Sequence, residues 1–345
     1  MTLFLGLSVA IWFIGRAMKV PRNASWIMIG LLYLAILAAT ILLRDRLDVT
    51  QMLGGSTAEW FAIGVIGGLV WVYTQGLKQL RARVRPENRG FDERARPNTT
   101  ELERNARHIV LREIGGPGQA RLKQARVLVV GAGGLGSAVL QYLAAAGVGT
   151  IGVSDDDVVE NSNLQRQIIH TDDRIGMPKV FSAEQAMTAQ NPFVTVRPYN
   201  RRLTKEIAQD LFADYDLIVD GCDDVDTRYA VNEAAYATGK TLISGALSQW
   251  EGQVTVFAPK DGTPCYRCVF PQPSAEGLAP SCAEGGVLSA LPGVIGTMMA
   301  VEAIKEITSA GEGLRGRMMI YDALYAETRT IALTRNPACP VCGNG

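Results

Sequence analysis

The sequence predicts an α/β fold preceded by two or three transmembrane helices. Three observations predict it. Residues 127–130 are branched and apolar, and the chain then turns through Gly131-Ala132-Gly133-Gly134-Leu135-Gly136 into a helix-compatible stretch, 137–146. A second apolar run, 149–153, follows at once and ends in Asp155-Asp156-Asp157. Finally, the apolar excess of the chain is concentrated near the N-terminus, in charge-free runs at 26–43 and 60–77.

The first two observations make a β-α-β nucleotide unit. Apolar runs of four or five residues with no alternation suit parallel strands buried on both faces. The glycines let backbone approach a phosphate at a helix N-terminus, where free N–H groups and the helix dipole favour anions. The acid after the second strand, Asp155, is placed to hold a ribose hydroxyl. Alone, this pattern points to a dinucleotide oxidoreductase. The next residues argue against that: Asn163-Leu164-Gln165-Arg166-Gln167 and Met177-Pro178-Lys179 bring amides, a guanidinium and an ammonium just past the ribose acid. Fixed cations there suit a triphosphate held through attack at one phosphorus.

Composition bounds the rest. The 345 residues carry 34 basic and 34 acidic side chains, a formal net charge of +0, so no basic domain suggests nucleic acid. In chain order, the run 3–15 is short for a span and is followed by Arg16, Lys19 and Arg22. The runs 26–43 and 60–77 are long enough to cross, and Trp60, Trp71 and Tyr73 lie where interfacial anchors belong. Basic residues gather at Arg16, Lys19 and Arg22 and again at Lys78, Arg81, Arg83 and Arg85. They predict an inner-membrane, multi-pass protein whose C-terminal part faces the cytoplasm. Residues 78–104 read as a basic linker, either drawn to anionic lipid or simply solvated.

Residues 105–125 suggest a short helix, a turn at Gly115-Gly116-Pro117-Gly118 and an entry helix. After the nucleotide unit, 180–190 suits a helix stopped at Asn191-Pro192, 194–199 a strand and 205–212 a helix. Residues 217–220 form another buried strand, ending at Gly221-Cys222-Asp223-Asp224. Ligand groups gather at the C-terminal ends of such strands. Asp155 and Asp223 then face one crevice, the first for ribose and the second for a metal ion beside the phosphates. Asp223 and Asp224 also fit a plainer role, capping the following helix. Further strands fall at 241–245, 252–257 and 317–321, and an apolar helix at 293–308.

Residues 258–286 are rich in Pro, Gly and Ser and contain Cys265-x-x-Cys268 and Cys282; the chain closes on Cys339-x-x-Cys342. Two Cys-x-x-Cys pairs of matching spacing predict one closed four-thiolate zinc site of structural type. Cys222 reads as a small buried residue. Cys282 is a candidate nucleophile with no activating base in view.

GAGGLGS, SDDD, SNLQRQ, MPK, CDD, CYRC and CPVC occur in the order and spacing of the MoeB/ThiF/HesA family, and from about residue 104 onward the chain resembles it. The resemblance does not reach the N-terminal apolar region. It implies a Rossmann-like nucleotide-binding domain over 105–345, with a mixed sheet, a zinc site and ATP·Mg2+ as cofactor. It further implies adenylylation of the C-terminal Gly-Gly carboxylate of a ubiquitin-like sulfur carrier, with sulfur supplied by a separate protein. The segments at 243–257, 293–305 and 321–343 lie nearest the molybdopterin branch, with the thiamine branch as the alternative. By position, the resemblance puts Gly131, Gly133, Gly134 and Gly136 on the phosphate side and Asp155 on the ribose. Ser162, Asn163, Leu164, Gln165 and Arg166 form the nucleotide segment, and Lys179 stabilises the triphosphate. Asp223 takes magnesium, with Asp224 beside it. Arg107 matches an arginine that relatives supply across a homodimer interface.

Overall fold

The computed structural model describes residues 4, 6–8, 11–13, 22–42, 57–84, 99–273 and 285–343. The chain divides into two compact units, Met1–Asp92 and Glu93–Gly345.

In the first unit, α1 (Arg22–Leu42) and α2 (Thr57–Val84) pack together. The Tyr33 hydroxyl donates to the Trp60 carbonyl at 2.7 Å, and Phe4 meets Trp60 edge-on with centroids 5.4 Å apart. Among the described residues no helix is long and apolar enough to cross a membrane. This corrects the expected transmembrane helices, the membrane as a partner, and the multi-pass inner-membrane location with its cytoplasmic orientation. Length and composition supply the reason. α1 spends its first turn on Arg22, Asn23 and Ser25. The remainder, 26–42, reaches about 25 Å at 1.5 Å per residue, against about 30 Å of hydrocarbon. α2 is longer, but Gly64, Gly67, Gly68, Thr74, Gln75 and Gly76 dilute its apolar run, and Lys78, Arg81 and Arg83 follow within the same helix. The expected segment 3–15 is described only in pieces, at 4, 6–8 and 11–13, and residues 85–98 of the linker 78–104 lie outside the described residues.

The second unit is built on one eight-stranded sheet. It opens with α3 (Thr99–Arg104), α4 (Ala106–Ile109) and α5 (Gly115–Gln124). The sequence places a break at the glycines of 115–118; instead α5 begins there, because Pro117 lies in the first turn, where a missing N–H costs nothing. β1 (Arg126–Val130), α6 (Gly134–Ala145) and β2 (Thr150–Ser154) follow as expected. Next come α7 (Lys179–Gln190), β3 (Thr195–Tyr199), α8 (Lys205–Ala213), β4 (Leu217–Asp220), α9 (Val225–Thr238) and β5 (Thr241–Leu247). β6 (Glu251–Phe257), α10 (Tyr266–Val269), α11 (Leu291–Thr308), β7 (Arg317–Asp322) and β8 (Glu327–Ala332) complete the unit.

The strand order is β3-β2-β1-β4-β5-β6-β7-β8. β3 to β5 are parallel, while β6, β7 and β8 pair antiparallel, so the sheet is mixed as expected. Alternation along each strand makes two cores. Val127, Val129, Leu217 and Val219 face the layer of α6, α7 and α11; Leu128, Val130 and Ile218 face Phe212 of α8 and Val231 of α9. The chain order reverses between β1 and β4, which opens a crevice at their C-terminal ends.

The buried helix layer and the exposed edge strand should differ in tolerance. Leu140→Ala, at a fully buried site on α6, should lower unfolding free energy by about 2–5 kcal/mol. Thr330→Ala, exposed on β8, should stay within about 0.5 kcal/mol. Urea titration of the two proteins compares them directly.

Candidate functional site

The crevice is floored by backbone. After β1 the chain turns at Gly131, whose φ of +96° favours glycine. A Cβ there would lie 3.0 Å from the Gly221 backbone, at the end of β4. A Cβ at Gly136 would fall onto the Gly131 carbonyl oxygen. The turn can therefore close on the first turn of α6 only with hydrogen at both positions, leaving free N–H groups at the helix start.

Asp155 stands just past β2 and is half-buried. One carboxylate oxygen accepts the Ala132 N–H at 2.7 Å and the other accepts the Asp157 N–H at 2.9 Å. Burial pushes its pKa above the ordinary carboxylate value, against the pull of Lys179 and the two N–H groups. The carboxylate thus sits at the crevice with lone pairs to spare for hydroxyl donors.

Lys179 begins α7. It is 4% exposed, and its Nζ lies 2.6 Å from an oxygen of Asp157. The pair is built on a short backbone ladder: Lys179 N–H donates to Asp157 O at 2.9 Å, Val159 N–H donates to Met177 O at 2.9 Å, and Val158 bridges Pro178. Asp155, Asp156 and Asp157 have carboxylate oxygens within 4.8 Å of one another, so the lysine relieves a crowded acidic corner.

The nucleotide segment forms a single 3-10 turn, Asn161–Asn163, and the loop after it. Arg166 is held by the Asn163 side-chain oxygen at 3.0 Å and the Ser162 carbonyl at 3.2 Å. Its backbone carbonyl lies near Gly134. Ser162 and Asn163 each reach Glu160 at 3.4 Å, and Leu164 and Gln165 continue the loop. Gln167 is buried beside Gly133, and its Oε1 has no hydrogen-bond partner among the described residues.

Across the crevice the two acids after β4 have separate positions. Asp224 caps α9, accepting the Thr227 N–H at 2.8 Å, and pairs with Arg202 at 2.7 Å. Asp223 is exposed and makes no hydrogen bond or ion pair with a described residue. Beneath them, Asp220 and Arg228 form a buried pair at 3.6 Å. Asp220 also accepts the Ser244 hydroxyl at 3.0 Å and the Cys222 N–H at 3.2 Å, and Arg228 donates to the Cys222 carbonyl. The loop that presents Asp223 is tied down from below.

Arg107 is not brought to the crevice within one chain. It is exposed on α4, two residues after Asn105, which packs beside Gly147 at the far end of α6 from the glycine turn. The helix between them is 12 residues, about 18 Å long.

The four expected metal ligands converge. Sγ separations are 3.9 Å for Cys265–Cys268, 3.6 Å for Cys265–Cys339 and 3.4 Å for Cys268–Cys342. A zinc tetrahedron with bonds of about 2.3 Å has edges of about 3.8 Å, so the cluster is compatible with zinc. Asn336 N–H and Asn232 Nδ2 point at two of the sulfurs, as outer-shell donors do. Cys222 is half-buried, its pKa raised well above the usual thiol range by desolvation, and Cys282 lies outside the described residues.

Sequence reasoning passed over Asp157, His170, Asp220 and Arg228 as site-building residues. Asp157 was visible only as one of three consecutive acids. His170 is one of 2 histidines in the chain and closely follows the nucleotide segment, a signal that could have marked it.

A glycine turn, a half-buried acid and a buried lysine at a doubly wound sheet's switch point define a nucleotide-binding α/β protein. The chain belongs to the ThiF family, whose model matches residues 105–341, and it is an adenylyltransferase that uses ATP. It is 50% identical over 248 residues to the sulfur carrier protein adenylyltransferase of Thermus thermophilus, covering 71% of this chain and 92% of that one. It is 47% identical to the SAMP-activating enzyme E1 of Haloferax volcanii, covering 72% and 91%. The molybdopterin-synthase adenylyltransferase of Salmonella typhimurium is 45% identical over 243 residues, covering 70% and 97%. In fold, the chain resembles E. coli MccB solved with MccA-N7isoASN, with a TM-score of 0.63, 22% identity, and coverage of 70% and 75%.

Removing Asp220 should strand a buried guanidinium. Asp220→Ala is expected to cost about 3–5 kcal/mol in a denaturant titration. A loss below about 1 kcal/mol would mean that Arg228 finds water or another partner.

Proposed function

We propose that this chain activates the C-terminal Gly-Gly carboxylate of a ubiquitin-like sulfur carrier by adenylylation. The carrier carboxylate attacks the α-phosphorus of ATP, a carboxylate–phosphorus mixed anhydride forms, the bond from the α-phosphorus to its bridging oxygen breaks, and pyrophosphate leaves. A carboxylate is already a nucleophile at neutral pH, so positioning and charge stabilisation suffice. The names of the Thermus and Salmonella relatives support this reading, and those of the latter group favour molybdenum-cofactor synthesis.

The observation that carries it is Lys179, a buried ammonium fixed beside the ribose acid at the mouth of the glycine turn. A hydride carrier needs no such cation. Asp155 holds the ribose, and the free N–H groups from Gly133 to Gly136 face the phosphates. Asn163, Arg166 and Lys179 take up charge on the triphosphate. Asp223, with no hydrogen bond or ion pair to a described residue, would be the ligand for Mg2+, which would offset phosphate charge. Asp224, engaged by Thr227 and Arg202, supports the loop. Arg107 acts on the neighbouring subunit of a homodimer, since its own crevice lies a helix length away. Cys265, Cys268, Cys339 and Cys342 hold a structural Zn2+ that ties the end of the chain to the region after β6.

ATP–pyrophosphate exchange tests the reading, with the molybdopterin-pathway and thiamine-pathway carriers offered in turn. Exchange with at least one is expected, and Arg166→Ala or Asp223→Ala should lower it by about 10²-fold or more. Undiminished exchange in both variants would overturn these residue roles. Elemental analysis should find one zinc per chain, and Cys339→Ser should lose it together with thermal stability. Full stability after chelation would remove the structural role.

A further inference from the structure

We infer that His170 is a positioning residue for nucleotide binding: it grips the glycine turn at the residue whose N–H orients Asp155. The inference rests on the reading of Asp155 as the ribose ligand.

His170 is 5% exposed and hydrogen-bonded at both ring nitrogens. Nε2 lies 2.9 Å from the Ala132 carbonyl oxygen, and Nδ1 lies 2.9 Å from the Ser182 hydroxyl. A carbonyl can only accept, so Nε2 carries the proton. In the neutral ring Nδ1 then accepts from Ser182, which fixes the tautomer. Burial holds the ring below the ordinary histidine range, helped by the charges of Lys179 and Arg174 and opposed by the bond to Ala132.

Ala132 is therefore held at both ends. Its carbonyl accepts from His170, and its N–H donates to Asp155 at 2.7 Å. The turn around it has glycine at 131, 133, 134 and 136, with few side chains by which neighbours could grip it. A polar clamp on its backbone does that work. Ser182 lies three residues after Lys179, on the same face of α7. One imidazole thus sets the glycine turn, and through it Asp155, against the helix that carries the phosphate-facing lysine. Packing alone would ask only for an apolar side chain of similar size at 170.

The test is calorimetric binding of ATP and of 2′,3′-dideoxy-ATP to the full chain. It needs no carrier, and it reads ribose recognition separately from general damage. The wild-type protein should prefer ATP by about tenfold or more. His170→Phe should shrink that preference at least threefold, mainly by weakening ATP binding. His170→Gln, whose amide N–H can reach the Ala132 carbonyl, should recover much of it. If His170→Phe fails to fold, Ser182→Ala leaves the ring in place and should show a smaller loss of the same preference. Weakening of both nucleotides by the same factor would make His170 a structural residue only and overturn the inference. Full preference in His170→Phe, with preference lost in Asp155→Asn, would overturn it while sparing the ribose assignment. Full preference in Asp155→Asn would overturn the ribose assignment, and the inference with it.

Discussion

Everything at the crevice depends on a close approach of backbone to backbone. The turn after β1 folds back so tightly that Gly136 meets the Gly131 carbonyl, while Gly131 itself abuts the end of β4. This approach brings the start of α6, the end of β2 and the end of β4 to one place. It also leaves the turn with only Ala132 and Leu135 as side chains packed into the core, so packing grips it at just two points. The molecule supplies hydrogen bonds as well: Gly131 N–H to the Ser154 carbonyl at 2.8 Å, Ala132 N–H to Asp155, and His170 to the Ala132 carbonyl. A phosphate approaching the helix start meets N–H groups that were fixed before it arrived.

Two ion pairs flank this turn and serve different ends. Asp220 and Arg228 are both buried and share hydrogen bonds with Ser244 and the Cys222 backbone, so this pair fixes the loop after β4 and has little left to offer a ligand. Lys179 and Asp157 pair a buried ammonium with an exposed carboxylate, 68% accessible at its side chain. Water screens the acid but not the lysine, so an incoming anion competes for Lys179 against a weakened partner. Asp155 stands between these regimes. Burial holds its pKa above the ordinary carboxylate value despite Lys179 and two N–H donors, which leaves room for further donors such as the hydroxyls of the proposed ribose.

Sequence pattern showed the elements whose chemistry is local. β1, β2 and β4 are continuous apolar runs because both faces are buried, and such runs have few other uses. The four cysteines were legible because ligand spacing is a property of the chain itself. β8 was not: all six of its residues are exposed at the sheet edge, so nothing forces alternation on Glu327–Ala332. The two roles of Asp223 and Asp224 could not be assigned from two adjacent acids, because the cap is chosen by which carboxylate reaches Thr227. His170 was silent for a related reason. Its partners lie 38 and 12 residues away, so no local pattern announces them. The N-terminal runs misled because absence of charge sets a bound on crossing a bilayer, whereas the length of apolar helix formed decides it.

The position of Arg107 carries the last step. The glycine turn, Asp155, Arg166, Lys179 and Asp223 come from three loops at the C-terminal ends of β1, β2 and β4 of one chain, yet Arg107, proposed to complete the charge around the triphosphate, lies at the opposite end of α6. No rotation of an arginine side chain spans about 18 Å, since an extended arginine reaches about 7 Å. A chain working alone would face the attack at phosphorus with Arg166 and Lys179 as its cations. In the proposed homodimer a second copy would present Arg107 from outside, the residue being exposed on the one-turn α4. In that arrangement the crevice is built for binding by one chain and for turnover by two, so ATP affinity and exchange rate would respond differently to dilution.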